Sequence, residues 1–209
     1  NGLTQSLPQK FFYAGPMCRY ERPQKGRMRQ FHQIGCEYIG SFNPLSDAEV
    51  IGCAAQFLSE LGVLDSCILH LNSLGDGQSR DAYRAALVAF LSDYKNELSS
   101  DSQRRLNENP LRILDSKADE DREILKNAPQ LPAFLTSQAQ QHFEHVTNAL
   151  DKAGINWQLD TNLVRGLDYY SHTAFEFITE ELGSQGTVLG GGRYDGLSTM
   201  LGGPDIGAV

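Results

Sequence analysis

The sequence predicts an α+β fold: an antiparallel sheet with flanking helices and a helical insertion. Strand-like runs with aromatic and β-branched residues cluster before residue 76 and return after residue 155. Between them the texture is almost entirely helical and acidic. No regular strand–helix–strand alternation, the mark of a parallel sheet, runs through the chain. Its 209 residues, 40% hydrophobic and 21% charged, suit one large or two small globular domains.

In chain order, residues 11–20 and 30–40 read as two antiparallel strands. The long basic loop between them carries Pro23 and Gly26 as breakers. Side chains alternate along a strand, so Arg19 and Glu21 share one face, as do Phe31, Gln33 and Glu37, with Gly35 leaving space between them. Residues 46–61 read as a helix, with Ser46 and Glu49 as a capping box and Gly62 as its stop. Its apolar stripe is Val50, Ala54, Phe57, Leu58 and Leu61. Residues 63–75 alternate as a strand containing His70, a position that usually means packing or surface. The helical stretch holds SRDAYRAALVAFLSDYKNEL, SKADEDREILKNAP and SQAQQHFEHVTNALDKAG, the last ending at Gly154, with Pro110, Pro129 and Pro132 as breaks. Strands are expected again at 156–160, 163–170, 172–179 and 186–190, and GGGRYDG (190–196) then reads as a tight turn. The expected division is 1–75 for the first part of a core, 76–155 for the insertion and 156–209 for the second part of the core.

The net charge of −8 argues against a broad nucleic-acid grip by this chain alone. The charge is uneven, however. Arg19, Arg22, Lys25, Arg27 and Arg29 crowd residues 19–30 against one acid, Glu21. Such a cluster suits a small anion, although a generic one is more often a solvated hairpin tip. Arg19 and Arg165 sit in predicted strands among apolar neighbours, where a guanidinium needs an anion or a carboxylate partner. Tyr169 and Tyr170 are adjacent, so a strand would point them to opposite faces, one into the core and one into a pocket. No dinucleotide fingerprint or phosphate-binding G-K-[ST] is present, so a nucleotide site would have to be built on an antiparallel sheet with arginines. His142 and His145 stand i, i+3 on a helix without a cysteine or carboxylate pattern beside them, and no metal site is assigned. Cys18, Cys36, Cys53 and Cys67 are widely spaced, which argues against structural disulfides or zinc and makes a reducing cytoplasm the expected location. No membrane association is expected, since no apolar run approaches the roughly 20 residues of a span and no secretory leader is visible.

The order R-Y-E, loop, R-x-x-x-F (Arg19, Glu21, Arg27, Phe31) resembles motif 2 of the class II aminoacyl-tRNA synthetases. LVRGLDYY (163–170) and GGGRYDG (190–196) resemble the two histidine-specific motifs of the histidyl-tRNA synthetases, and the likeness covers nearly the whole chain. The resemblance implies a class II antiparallel fold and assigns roles by position. Arg19 and Arg165 would be catalytic, both on the α-phosphate and the amino-acid carboxylate. Glu21 would read the adenine amino group, Arg27 would hold the γ-phosphate end, and Phe31 would stack on adenine. Gln33 would contact the backbone end of histidine, while Glu37 and Tyr170 would bracket the imidazole, with Tyr194 and Tyr169 beside it.

The resemblance further implies ATP-dependent formation of histidyl-adenylate and transfer to tRNA(His). Mg2+ would be carried mainly by the ATP phosphates, and the full-length enzyme would be a homodimer. Motif 1 and a T-x-R-P-E strand would precede residue 1, while motif 3 and an anticodon-binding domain would follow Val209, so the chain reads as an internal catalytic piece. The alternative is a non-catalytic, histidine-binding regulatory paralogue of ATP phosphoribosyltransferase. Such paralogues would lose parts of the ATP motif, whereas Arg19, Glu21, Arg27, Phe31 and Arg165 all stand here.

Overall fold

A computed structural model describes residues 6–20, 22–23, 27–114, 116–163, 169–181 and 186–209. Strands β1 (Gln9–Cys18) and β2 (Gln30–Ile39) form the expected antiparallel hairpin, in register from Gln9 opposite Ile39 to Cys18 opposite Gln30.

Helix α1 (Pro44–Glu60) starts two residues before its predicted start. Asn43, not Ser46, is the cap, its side chain accepting from the Leu45 N–H at 2.9 Å. Pro44 explains the difference, because its fixed φ and missing N–H suit the first helical position. Ser46 instead lies inside the first turn and is buried. Gly62 follows the helix at φ +70°, the left-handed stop expected of it. The buried stripe is rotated from the expected one. Ile51, Ala54, Ala55 and Leu58 are covered, whereas Leu61 remains 59% exposed. The helix is packed by both the sheet and a later helix, and their joint position centres the buried arc on Ile51 and Leu58.

The expected strand over 63–75 is shorter, with a 3-10 turn (Leu64–Ser66) preceding β3 (Ile68–Ser73). Four helices follow: α2 (Gly77–Asp93), α3 (Ser100–Glu108), α4 (Asp119–Leu125) and α5 (Ser137–Lys152). The hydrophobic pattern did not single out α3, whose sequence SDSQRRLNE offers one large apolar residue, the buried Leu106. Asp121 holds α3 and α4 together. Its carboxylate, fully buried, accepts from the Ser99 N–H (2.8 Å) and from the hydroxyls of Ser99 (2.7 Å), Ser102 (2.6 Å) and Ser116 (2.5 Å). Burial alone would raise its pKa, but these bonds outweigh burial and hold it below the usual carboxylate value. Its contribution is therefore present above the unfolded pKa and lost as pH falls through the lower folded one. Asp121→Ala is expected to cost roughly 2–4 kcal/mol in denaturant unfolding at pH 7, and less as pH falls through the folded carboxyl's pKa. A loss that does not shrink as pH falls would refute the assignment.

The C-terminal third supplies β4 (Trp157–Leu159), β5 (Ser171–Ile178), β6 (Thr187–Arg193) and the short α6 (Leu197–Met200). The sheet order is β4-β3-β5-β6, antiparallel through β3, β5 and β6, with β4 a short parallel edge on β3. Two expectations are corrected. The strand predicted over 163–170 includes 164–168, outside the described residues, and Tyr169, in a turn, and Tyr170, in irregular backbone, precede β5. The GGGR of GGGRYDG is not a turn but the end of β6.

The final residues tie the hairpin to the larger sheet. Tyr38 exchanges backbone hydrogen bonds with Val209 (2.7 and 3.1 Å), and the Tyr194 N–H donates to the Ala208 carbonyl at 2.8 Å. Buried side chains form two clusters. One joins α1, α5 and the sheet through Ile51, Leu58, Leu71, Val146, Leu150, Phe175 and Phe177. The other joins α2, α3, α4 and the turns between them around Leu87, Leu91 and Ile113. No helix among the described residues is long and apolar enough to cross a membrane.

Candidate functional site

The site grows from one face of β2. Phe31, Gln33, Gly35 and Glu37 alternate along it, as their spacing predicts. The register sets Tyr13 opposite Gly35. A Cβ on Gly35 would meet the Tyr13 ring at 2.3 Å, so only glycine lets that ring lie across the strand. The Gln33 amide nitrogen donates to the Tyr13 hydroxyl at 2.8 Å. Sequence reasoning missed Tyr13, although pairing the two strands residue by residue would have set it against the glycine.

Across a groove from β2 stands Tyr194, just past β6. Its hydroxyl donates to Glu37. Burial first, and the Glu37 carboxylate second, push the phenol pKa far up, so Tyr194 is a neutral donor at any physiological pH. Tyr169 and Tyr170 join it, with ring centroids 4.8 Å apart and each 6.1–6.4 Å from the Tyr194 ring. The expectation that they point to opposite faces does not hold, because both lie outside any strand, where alternation does not apply. Beneath them β6 is stripped to glycine. A Cβ on Gly191 would strike the Phe175 ring at 2.6 Å, and one on Gly192 the Thr173 carbonyl oxygen at 2.7 Å. The groove encloses about 350 Å3, with Gln33, Glu37, Tyr170 and Tyr194 among its polar lining and Phe175 and Leu189 in its floor.

At the other end of the hairpin the Arg19 guanidinium lies over the Phe31 ring, 3.6 Å from its centroid. Its Nε is buried and has no hydrogen-bond partner among the described residues. Arg27 sits in a single-residue bridge near the base of the loop. Glu21 and Arg165 lie outside the described residues. Phe31 and Glu37 are six residues apart on one strand, roughly 20 Å. The face thus offers a cation and an aromatic ring at one end, and a carboxylate with phenols at the other.

A buried hub behind this face was not foreseen. Arg193, fully covered, donates to Asp47 (2.9 Å from Nε), Asp195 (2.8 Å), the Ser46 hydroxyl (2.8 Å) and the carbonyls of Ser41 (2.8 Å) and Asn43 (3.2 Å). Asp47 also accepts from Thr173 and pairs with His142 at 2.8 Å. Burial opposes both charges, yet Asp47 is held below the usual carboxylate pKa by His142 and Arg193, and Arg193 is raised by Asp47 and Asp195. Helix α1, β6 and α5 are pinned together one residue from Tyr194. His142 stacks on His172 (centroids 4.4 Å apart), whereas His145 bonds to the Gln141 carbonyl of its own helix, so the two do not converge. His70 pairs with Asp160 at 3.0 Å.

The hairpin, the antiparallel sheet behind it and the helices on its flank define the class II aminoacyl-tRNA synthetase fold. The chain belongs to the histidyl-tRNA synthetase family, whose family model matches residues 1–209. It is 57% identical over 209 residues to a protein of Gluconacetobacter diazotrophicus named histidine–tRNA ligase, covering 100% of this chain and 50% of that one. The solved structure of apo S. aureus histidyl-tRNA synthetase superposes with a TM-score of 0.78 at 39% identity, over 97% of this chain and 48% of that one. A Bacillus halodurans protein titled ATP phosphoribosyltransferase regulatory subunit/histidyl-tRNA synthetase superposes with a TM-score of 0.59 at 20% identity, over 98% and 56%, a likeness of fold alone. The chain spans about half the length of the curated relatives it matches.

Proposed function

We propose that this chain forms the histidine- and ATP-binding part of a histidine–tRNA ligase. The observation that carries the reading is the pairing, across one groove, of Glu37 with Tyr194 beside Tyr170 and Tyr169. A neutral imidazole has one donor and one acceptor nitrogen. Glu37 would accept from the first and a tyrosine hydroxyl would donate to the second. Gln33 would hold the backbone end of histidine.

ATP would lie along the same face toward Phe31. The Arg19 guanidinium now covers that ring, so adenine would replace it there while Arg19 swings onto the α-phosphate. Glu21 would read the adenine amino group and Arg27 the γ-phosphate. The histidine carboxylate attacks the α-phosphorus, the bond to the bridging oxygen breaks, and pyrophosphate leaves. Arg19 and Arg165 share the negative charge that develops. A hydroxyl at the 3′ end of tRNA(His) then attacks the carbonyl carbon and AMP departs. Mg2+ would be carried mainly by the ATP phosphates, as it usually is where a nucleotide supplies the oxygens.

The proposed assembly is a homodimer in the cytoplasm, with no membrane partner. The proposed division keeps 1–75 and 156–209 as catalytic core and 76–155 as insertion, α5 being the part of the latter that packs against α1. The test is histidine-dependent ATP–pyrophosphate exchange by a polypeptide of the relatives' full length that carries this chain. Robust exchange is expected. Histidine binding without exchange would favour the regulatory paralogue.

A further inference from the structure

Tyr170 lies outside any strand, directly ahead of β5. A side chain that must meet one ring nitrogen cannot be left to a loose backbone, since binding constellations work only within about 0.5 Å of the productive geometry. Two supports hold the ring: Gly192, where a Cβ would come 3.1 Å from it, and apolar side chains of the helical cluster. The backbone has a third. Arg80 Nη1, from α2, donates to the Tyr170 carbonyl at 2.9 Å.

The base of Arg80 is itself rigid. It stands in the first turn of α2, its N–H on the Asp76 carbonyl at 3.0 Å. The Asp76 side chain caps α2 by accepting from the Ser79 N–H and hydroxyl, both at 2.8 Å, and also accepts from Thr136, the cap of α5. The Thr136 N–H closes the circuit on the Ser79 hydroxyl at 3.0 Å. The starts of α2 and α5 are thus locked together, and Arg80 extends from that lock to the backbone carrying Tyr170. Charge-assisted hydrogen bonds of this kind are the strong ones.

We propose that Arg80 is a positioning residue of the histidine site. By holding the Tyr170 carbonyl it fixes where the phenol meets the imidazole, and it makes histidine affinity depend on the helices. This rests on the reading of Tyr170 as an imidazole contact. Arg80 is half-buried and borders a separate polar cleft, so its replacement opens no cavity in the apolar core.

The test measures histidine and ATP KM, and kcat, by pyrophosphate exchange in a full-length polypeptide carrying this chain. Arg80→Met is expected to raise histidine KM roughly tenfold, with ATP KM and kcat within about threefold. Arg80→Lys, which keeps a charged donor, should recover much of the loss. Added to Tyr170→Phe, Arg80→Met should cost less than about twofold more, because coupled residues are not additive. An unchanged histidine KM in Arg80→Met while Tyr170→Phe raises it would overturn the proposal and leave the site reading intact. Equal rises for histidine and ATP, or no recovery by lysine, would also overturn it, marking Arg80 as merely structural. An unaffected Tyr170→Phe would overturn the site reading and the proposal with it. If Arg80→Met fails to fold, Arg80→Gln takes its place with a rise of about threefold expected, and an unchanged histidine KM there again overturns the proposal.

Discussion

Glu37→Ala, in a full-length polypeptide carrying this chain, is expected to raise histidine KM by about 100-fold while leaving ATP KM within about threefold. The Glu37 carboxylate lines the groove, and in the free protein it accepts from Tyr194. Removing it leaves the imidazole N–H without an acceptor in a site lined by rings. Such a loss is steep, because a desolvated donor recovers none of what it gave up on leaving water. In the proposed reading ATP would lie at the opposite end of the face, where Arg19 and Phe31 stand, and its affinity should hardly change. Pyrophosphate exchange with each substrate varied in turn gives both constants. Losses of equal size for histidine and ATP would mean that Glu37 supports the sheet and does not read the ring.

Arg193→Met is expected to destabilise the chain itself by about 3–5 kcal/mol, since it strips the cation from a buried carboxylate. For a chain of this length the melting temperature should fall by roughly 6–20 °C. The effect has a pH signature. In the native protein Asp47 has a lowered pKa, so its stabilisation is complete above the unfolded carboxylate value and disappears only as pH falls through the folded one. Without Arg193 the Asp47 pKa rises toward what burial favours, with only His142 and Thr173 left to hold the carboxylate ionised. The variant should therefore gain relative stability as pH drops and Asp47 takes a proton, and the gap to the native protein should narrow toward pH 3. Calorimetry between pH 3 and 8 measures this. A gap independent of pH would show that the methionine is simply misfitted. Asp47→Leu combined with Arg193→Met should cost less than the two single changes summed, because the pair leaves together.

The readable parts of the site are those whose geometry is local. Alternation alone set Phe31, Gln33 and Glu37 on one face of β2, and the hairpin bears them there. Gly62 and Gly154 end their helices at φ +70° and +71°, as the stop signals require. The family motifs added Tyr170 and Tyr194, which no periodicity would have joined to Glu37. Tyr13 was hidden because its role depends on register, a relation between two strands and not a property of either. Tyr169 and Tyr170 were misplaced because a strand rule was applied to residues outside any strand, and the GGGR run was read as a turn because glycine signals both a bend and a close approach.

The amino-acid order by itself determined where the hairpin, α1, α2 and α5 run, which side chains share a strand face, and which motifs the chain carries. Those properties arise from neighbours within a few residues, through steric limits on φ and ψ, caps and hydrophobic period. Only the tertiary structure decided that Arg193 would answer Asp47 across 146 positions, that His142 would close the same network from α5, and that Arg80 would reach the Tyr170 carbonyl 90 residues away. A buried charge must find its partner wherever packing brings one within about 3 Å, and that choice is made by the whole assembled core and not by any stretch of chain.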